Sequence, residues 1–256
     1  MSFPRLSVIC TFYNEAKFLE CALDSIVEFV DDIILIEGAY QEVIKLGRSP
    51  RSTDGSVEIA KKFMHDHPER NIIYKEENRQ SDPQQRNAAL EIAKDLGAQW
   101  VLIVDGDEVY LPEHLAVIRM FTAKETKRPM VDNGYCMSMT FINDFYTYTM
   151  QHFPRLFRAC IDSTFTNDNF MCSSGIPWKD QKHFMLPIKY FHYAFCKGRE
   201  RFEDKKKWWE SRFTNQEFHY DWQFDNKTQK IMPDNHAIYK FTGKHPSQIV
   251  NKFHLE

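Results

Sequence analysis

The 256-residue chain carries 33 Lys and Arg against 36 Asp and Glu, a formal charge of −3, so global charge selects neither nucleic acid nor an anionic membrane as a partner. A chain this long can bury the core of a single α/β domain. Its six cysteines (Cys10, Cys21, Cys136, Cys160, Cys172 and Cys196) include no C-x-x-C pair, which argues against a disulfide framework or a zinc centre and for a reducing compartment. Asp31-Asp32 and Asp105 interrupt the most apolar runs, and Met-Ser-Phe-Pro-Arg-Leu leads straight into a strand without the pattern of a signal peptide. The expectation is a soluble, cytoplasmic protein that touches membranes at most peripherally.

Leu6 to Cys10 reads as a short apolar strand followed by the polar turn Thr11-Phe12-Tyr13-Asn14-Glu15. Phe18, Leu19, Ala22, Leu23, Ile26, Val27 and Val30 recur at three and four, the spacing of an amphipathic helix. Ile33 to Ile36 is the next strand and ends in Glu37-Gly38, completing a βαβ unit that feeds a parallel sheet. Residues 39–51 are irregular and basic. Ser52-Thr53-Asp54-Gly55 then caps a helix whose face is Val57, Ile59, Ala60 and Phe63. Asn71 to Lys75 is a third strand, and Pro83-Gln84-Gln85-Arg86-Asn87 opens a helix that stops near Gly97.

Trp100 to Val104 reads as a strand buried on both faces, ending in Asp105-Gly106-Asp107-Glu108. Ligands of α/β sheets gather at such carboxyl ends. Three carboxylates held together need positive charge, and a hard divalent cation supplies it; the alternative is a solvated acidic turn. A helix from Pro112 to about Met120 follows, then a polar break at residues 124–129 and imperfect alternation over residues 135–150, as in antiparallel strands. Phe153 to Arg158 and Pro187 to Tyr193 are further strands, and Arg199 to about Phe213 is a charged helix. Within it Lys205-Lys206-Lys207 reads as a solvated face, with contact to anionic lipid or a charged acceptor as the minority reading. Core packing is the reading preferred for the aromatic zone Trp208, Trp209, Phe218, Tyr220, Trp222 and Phe224, and residues 220–256 show no periodicity.

Four pieces thus stand in order: Thr11-Phe12-Tyr13-Asn14-Glu15, Ser52-Thr53-Asp54-Gly55-Ser56, Arg86-Asn87-Ala88-Ala89-Leu90 and Asp105-Gly106-Asp107-Glu108. Together they resemble the family 2 glycosyltransferases, nucleotide-sugar enzymes of the GT-A fold. The likeness runs through residues 6–112 and continues more weakly through Phe153-Pro154-Arg155-Leu156-Phe157-Arg158 and Phe191-His192-Tyr193 to Gly243-Lys244-His245-Pro246. It implies an α/β fold with a mostly parallel, Rossmann-like central sheet flanked by helices and a small antiparallel portion. In domain terms it implies a catalytic domain over 1–195, with a donor and metal half at 1–112 and an acceptor half at 113–195, and a C-terminal extension over 196–256.

The same resemblance implies that Thr11, Tyr13, Glu15, Glu37, Arg86 and Asp105 bind a UDP- or GDP-type sugar donor. Glu37 stands where the family usually has an aspartate, and residues 38–51 form an insertion before the S-T-D-G turn. It further implies that Asp107, with His192 as an extra ligand, holds Mn2+ or Mg2+. An inverting enzyme needs a carboxylate base for the acceptor hydroxyl. Asp144, Asp162, Asp168 and Asp180 are candidates; Asp180, beside Trp178, is preferred and Asp168 is next. The acceptor is a carbohydrate, lipid-linked or protein hydroxyl. A sugar nucleotidyltransferase and a non-catalytic scaffold are the rivals, the first weakened by Phe12-Tyr13-Asn14-Glu15 where a glycine-rich basic loop is expected. P-loop and Rossmann cofactor motifs are absent from the sequence.

Overall fold

A computed structural model of the chain describes residues 3–127, 131–143, 146–147, 150–167, 170–172, 176, 178–203, 207, 222–225, 230–233 and 239–255. The first half alternates strand and helix as its apolar periods dictate. β1 (Leu6–Phe12), α1 (Leu19–Ile26), β2 (Asp32–Glu37), α2 (Gln41–Ile44), α3 (Ser56–Asp66), β3 (Asn71–Glu76), α4 (Asp82–Asp95) and β4 (Trp100–Ile103) follow one another. β1, β2, β3 and β4 pair in parallel in the order β4-β1-β2-β3, with Ile9 opposite both Ile34 and Ile103.

Beyond β4 come β5 (Glu108–Tyr110), α5 (Pro112–Lys127), β6 (Asn133–Asn143), β7 (Tyr146–Thr147), β8 (Gln151–Arg158), β9 (Thr164–Asn167), β10 (Phe170–Cys172), a 3-10 turn (Trp178–Asp180) and β11 (His183–His192). β12 (Trp222–Asp225), β13 (Lys230–Pro233), β14 (Tyr239–Lys240) and α6 (Ser247–Phe253) follow towards the carboxyl terminus. β8 joins β4 antiparallel, β6 joins β8 antiparallel, and β11 lies parallel to β6 while pairing antiparallel with β5. The architecture is the mixed α/β sheet implied by the resemblance, parallel over β4-β1-β2-β3 on one side and largely antiparallel beyond β4.

Alternation along buried strands sorts the core into two faces. Leu6, Val8 and Cys10 of β1 pack with Leu19, Leu23 and Ile26 of α1, Phe63 of α3 and Leu115 and Ile118 of α5. Ile9, Ile34, Ile36, Val101 and Ile103 face α4, whose Ala89 and Ala93 let the helix approach while fully buried Leu90 contributes about 2 kcal/mol. A third cluster joins Phe18 and Cys21 to Val109, Phe141, Phe191, Tyr193, Cys196 and Ile249, so α6 is tied to α1.

Several elements depart from the sequence expectation. α5 continues to Lys127 because residues 121–127 are competent helix formers, and Thr126 accepts the Trp100 indole N–H at 3.0 Å. β11 starts four residues before Pro187, which sits in a register shift between Met185 and Lys189, where a missing N–H is tolerated. α6 lies in the tail that showed no periodicity. The helix expected from Arg199 is described over residues 199–203 and at Lys207. Asp144, Asp168, Lys205, Lys206, Trp208, Trp209, Phe218 and Tyr220 lie outside the described residues. No helix among the described residues is long and apolar enough to cross a membrane.

At the amino-terminal edge of the sheet, buried Asp32 accepts bonds from Arg5 Nη2 (2.6 Å), Ser7 Oγ (2.7 Å) and Asn71 Nδ2 (2.5 Å). Burial pushes this carboxyl up, but these donors outweigh burial and hold it below the ordinary carboxylate value. A depressed value means stability that is present above the unfolded pKa and lost as pH falls through the folded one. D32N is therefore expected to cost about 1.5–3 kcal/mol at pH 7. In urea melts the gap to wild type should close as pH is lowered below 4; a gap independent of pH would contradict the assignment.

Candidate active site

The acidic strand end is a tight turn, with the Glu108 N–H donating to Asp105 O at 2.9 Å. A Cβ on Gly106 would come within 3.0 Å of the Glu15 Cβ, so the glycine lets the turn after β1 lie against the turn after β4. That brings Glu15, Asp105, Asp107 and Glu108 into one region, and all but Asp105 are less than a tenth exposed.

Each carboxylate is matched by a cation from a different element. Arg86, on the first turns of α4, gives Nη2 to Asp105 Oδ1 at 2.9 Å and Nε to Asp82 Oδ1 at 3.0 Å. Asp82 also accepts the Tyr40 hydroxyl at 2.6 Å. Arg155, on β8, reaches Glu108 Oε1 at 2.5 Å and Asp105 Oδ2 at 3.3 Å, its guanidinium lying 5.4 Å from the Tyr190 ring centre. Burial pushes Asp105 up, but Arg86 and Arg155 outweigh it and hold it below the ordinary range. For the fully enclosed Glu108, burial wins over Arg155 and its carboxyl is pushed up to about 7.

Asp107 faces the opposite way. β5 and β11 align Glu108 with His192, and the Tyr193 N–H donates to Asp107 O at 2.9 Å. This register sets His192 Nε2 3.5 Å from Asp107 Oδ1. Asp107 Oδ2 meets Lys197 Nζ at 2.6 Å, and the same ammonium lies 2.5 Å from Glu15 Oε2. Burial lowers the lysine's pKa, yet Asp107 and Glu15 outweigh it and keep the amine above its ordinary value. Arg201 adds bonds to Tyr13 O (2.8 Å) and Glu15 Oε1 (3.2 Å).

The turn after β1 is locked to the S-T-D-G turn. The Asn14 N–H donates to Ser52 Oγ (2.9 Å), the Thr53 N–H to Asn14 Oδ1 (2.9 Å) and the Glu15 N–H to Ser56 Oγ (2.7 Å). Asn14 adopts φ 53°, which its short amide tolerates. Glu37 is fully buried and accepts the Ser52 N–H at 2.7 Å, so it anchors this interlock at the end of β2. The Tyr13 hydroxyl donates to Ser49 O at 2.9 Å, tying the 39–51 insertion to the same place.

The structure thus gathers Thr11, Tyr13, Glu15, Arg86, Asp105, Asp107 and His192 at the carboxyl ends of β1 and β4, with Glu37 behind the turn. Asp180 is not brought there. It is exposed and precedes β11, whose ten residues put His192 roughly 30 Å away along the strand. Its neighbours confirm the side: Gln181 accepts from Asn133 at 2.5 Å, and Asn133 stands opposite Phe157, beside the start of β4. Asp162 lies in the turn after β8 at that same amino-terminal side, where the Ala159 N–H donates to Gln99 O. Lys197 was not among the residues expected here, and Arg155 was expected only as part of the Phe153–Arg158 strand. Lys197 and Arg201, four apart just beyond the strand bearing His192, were the available signal once the surplus of acids was counted.

Tyr193 stacks between Phe18 and Phe141, each 4.9 Å away, and its hydroxyl meets His245 Nδ1 at 2.9 Å. The Gly243-Lys244-His245-Pro246 motif therefore acts by fixing the strand end next to His192. R155M should leave Glu108 buried without its cation and cost about 3–5 kcal/mol. The double variant R155M/E108M should recover most of that in urea melts; an equally unstable double variant would show that Arg155 acts elsewhere.

Among solved structures, a mannosyltransferase from Pyrobaculum calidifontis in complex with GDP-Man and Mn2+ matches at 24% identity and a TM-score of 0.41, over 53% of this chain and 36% of that one. S. aureus TarS matches at 16% identity and TM-score 0.46, over 84% of this chain and 67% of the TarS 1–349 chain. A 4-diphosphocytidyl-2C-methyl-D-erythritol synthase from Anaerococcus prevotii matches at 18% identity and TM-score 0.40, over 61% of this chain and 70% of that one. The chain thus spans about a third of the first of these proteins, and all three likenesses are partial. No curated protein matches it. The family model for glycosyl transferase family 2 matches residues 7–176, a span that holds the interlocked turns, Arg86 and the whole acidic strand end. On that match the chain belongs to glycosyltransferase family 2.

Proposed function

We propose that this family 2 domain transfers a glycosyl group from a UDP- or GDP-type sugar donor to an acceptor hydroxyl, with inversion by a single displacement. The observation that carries the proposal is buried Arg86 at the carboxyl end of β4. Its Nη2 holds Asp105 while its Nη1, also buried, has no hydrogen-bond partner among the described residues. A guanidinium with a spare donor suits the oxygens of a leaving diphosphate. Thr11, Tyr13 and Glu15 line the end of β1, beside the base and ribose in this reading, and Asp105 faces the ribose from β4. Glu37 acts from behind, by holding the S-T-D-G turn against the donor site.

The residues also fit a divalent ion. Asp107 Oδ1 and His192 Nε2 are 3.5 Å apart, close enough to share one cation. Among the described residues no cluster of three or more His, Cys, Asp or Glu could hold a metal by itself, so the two would hold Mn2+ or Mg2+ weakly alone and more firmly once phosphate oxygens complete its shell. Bound there, the ion would offset the negative charge that develops on the departing diphosphate. The chain's own part is to orient the diphosphate with Arg86 and keep water from the buried acids. As the acceptor oxygen bonds to the anomeric carbon, the bond from that carbon to the phosphate oxygen breaks, and a base takes the hydroxyl proton. The acceptor is a carbohydrate, a lipid-linked sugar or a protein side chain.

Mn2+ together with UDP or GDP should raise the melting temperature more than either alone. A donor screen read as transfer or hydrolysis then identifies base and sugar. D107A should stay folded and lose about 10²–10³-fold in turnover. Undiminished turnover in folded D107A, or no stabilisation by any nucleotide and metal pair, would overturn the proposal.

A further inference from the structure

The ammonium of Lys197 stands where positive charge is most needed in this site. Its Nζ is 2.5 Å from Glu15 Oε2, 2.7 Å from Glu15 Oε1 and 2.6 Å from Asp107 Oδ2. Both carboxylate side chains are at most a tenth exposed, as is the lysine's own. The lysine is delivered by a built turn rather than a loose loop. The Cys196 N–H donates to Tyr193 O at 3.1 Å, Lys17 Nζ binds Cys196 O, and Gly198 follows with φ 92°, a conformation that favours glycine. Asp107 is therefore divided: Oδ1 points to His192 and Oδ2 is held by Lys197.

We propose that Lys197 is a resident cation of the donor site that competes with the divalent ion for Asp107. The inference rests on the donor and metal reading above and adds a residue to it. A lysine ammonium and a divalent ion on the same carboxylate are like charges within a few ångströms, so each weakens the other's hold. The exchange leaves no acid bare, because Arg201 keeps its own contact to Glu15 Oε1 at 3.2 Å when Lys197 withdraws. A lysine suits such an exchange better than an arginine, being a point charge on a flexible stem rather than a fixed fork. Once released, the ammonium would be free to pair with a donor's phosphates, which would give the metal and the nucleotide a shared reason to bind together. Lys197 is thus a positioning residue: it acts on the metal through Asp107.

The test is calorimetric titration of Mn2+ into wild type, K197M and K197R, each with and without UDP or GDP, after melting curves confirm that the variants fold. K197M should bind Mn2+ about tenfold more tightly than wild type without nucleotide, and K197R, which keeps the charge in a stiffer fork, should bind it no more tightly than wild type. Equal Mn2+ affinity in wild type and K197M overturns the proposal while leaving the metal reading intact. No Mn2+ binding by any of the three, with or without nucleotide, overturns both. A second measurement needs no variant: the Lys197 ammonium signal in NMR spectra of the wild-type protein should shift or vanish as Mg2+ is added with the nucleotide. A signal unchanged at saturating Mg2+ counts equally against the exchange.

Discussion

Neutralising Asp105, Asp107, Glu108 and Glu15 where water is largely excluded is the constraint on which the rest of this structure depends. Unpaired buried carboxylates would cost several kcal/mol each, more than a domain of marginal stability can absorb. The fold answers from three directions. Arg86 comes from α4, Arg155 from β8 and Lys197 from the turn after β11, so the acidic strand end draws together elements far apart in the chain. The antiparallel half of the sheet thus contributes to the charged cluster, through the Arg155 and His192 that it places there.

The arrangement also separates two kinds of charge. Asp105 and Glu108 are enclosed by arginines that cannot shed their protons, and these pairs hold the turn in place. Asp107 is held instead by a histidine and a lysine, groups whose hold on a carboxylate is easier to exchange. Rigid charge on one side and exchangeable charge on the other let the cluster keep its shape while part of its charge pairing can change.

Support for this half of the site comes from packing. The stack Phe18–Tyr193–Phe141, closed by His245 and backed by Ile249 of α6, fixes the end of β11 one residue from His192 and four from Lys197. On the other side the bonds among Asn14, Ser52, Thr53 and Ser56, anchored by Glu37, fix the turn that carries Glu15. Segments flanking the acidic cluster are therefore held by contacts outside it.

The amino-acid sequence by itself determined the alternating first half, the strands buried on both faces and the acidic end of β4. Those features are written in local periods: apolar runs, three-and-four spacing and capping residues within a few positions of what they cap. It also marked Arg86, Asp107 and His192 through ordered motifs. Only the tertiary structure decided which charge meets which, because ion pairs such as Glu15–Lys197 and Asp105–Arg155 join residues separated by 182 and 50 positions, and no local pattern encodes such a distance. For the same reason Asp180, near an aromatic in sequence, stands at the opposite end of β11 from His192, and Glu37 anchors the S-T-D-G turn. Strand direction and register, set by the packing of the whole sheet, made those choices.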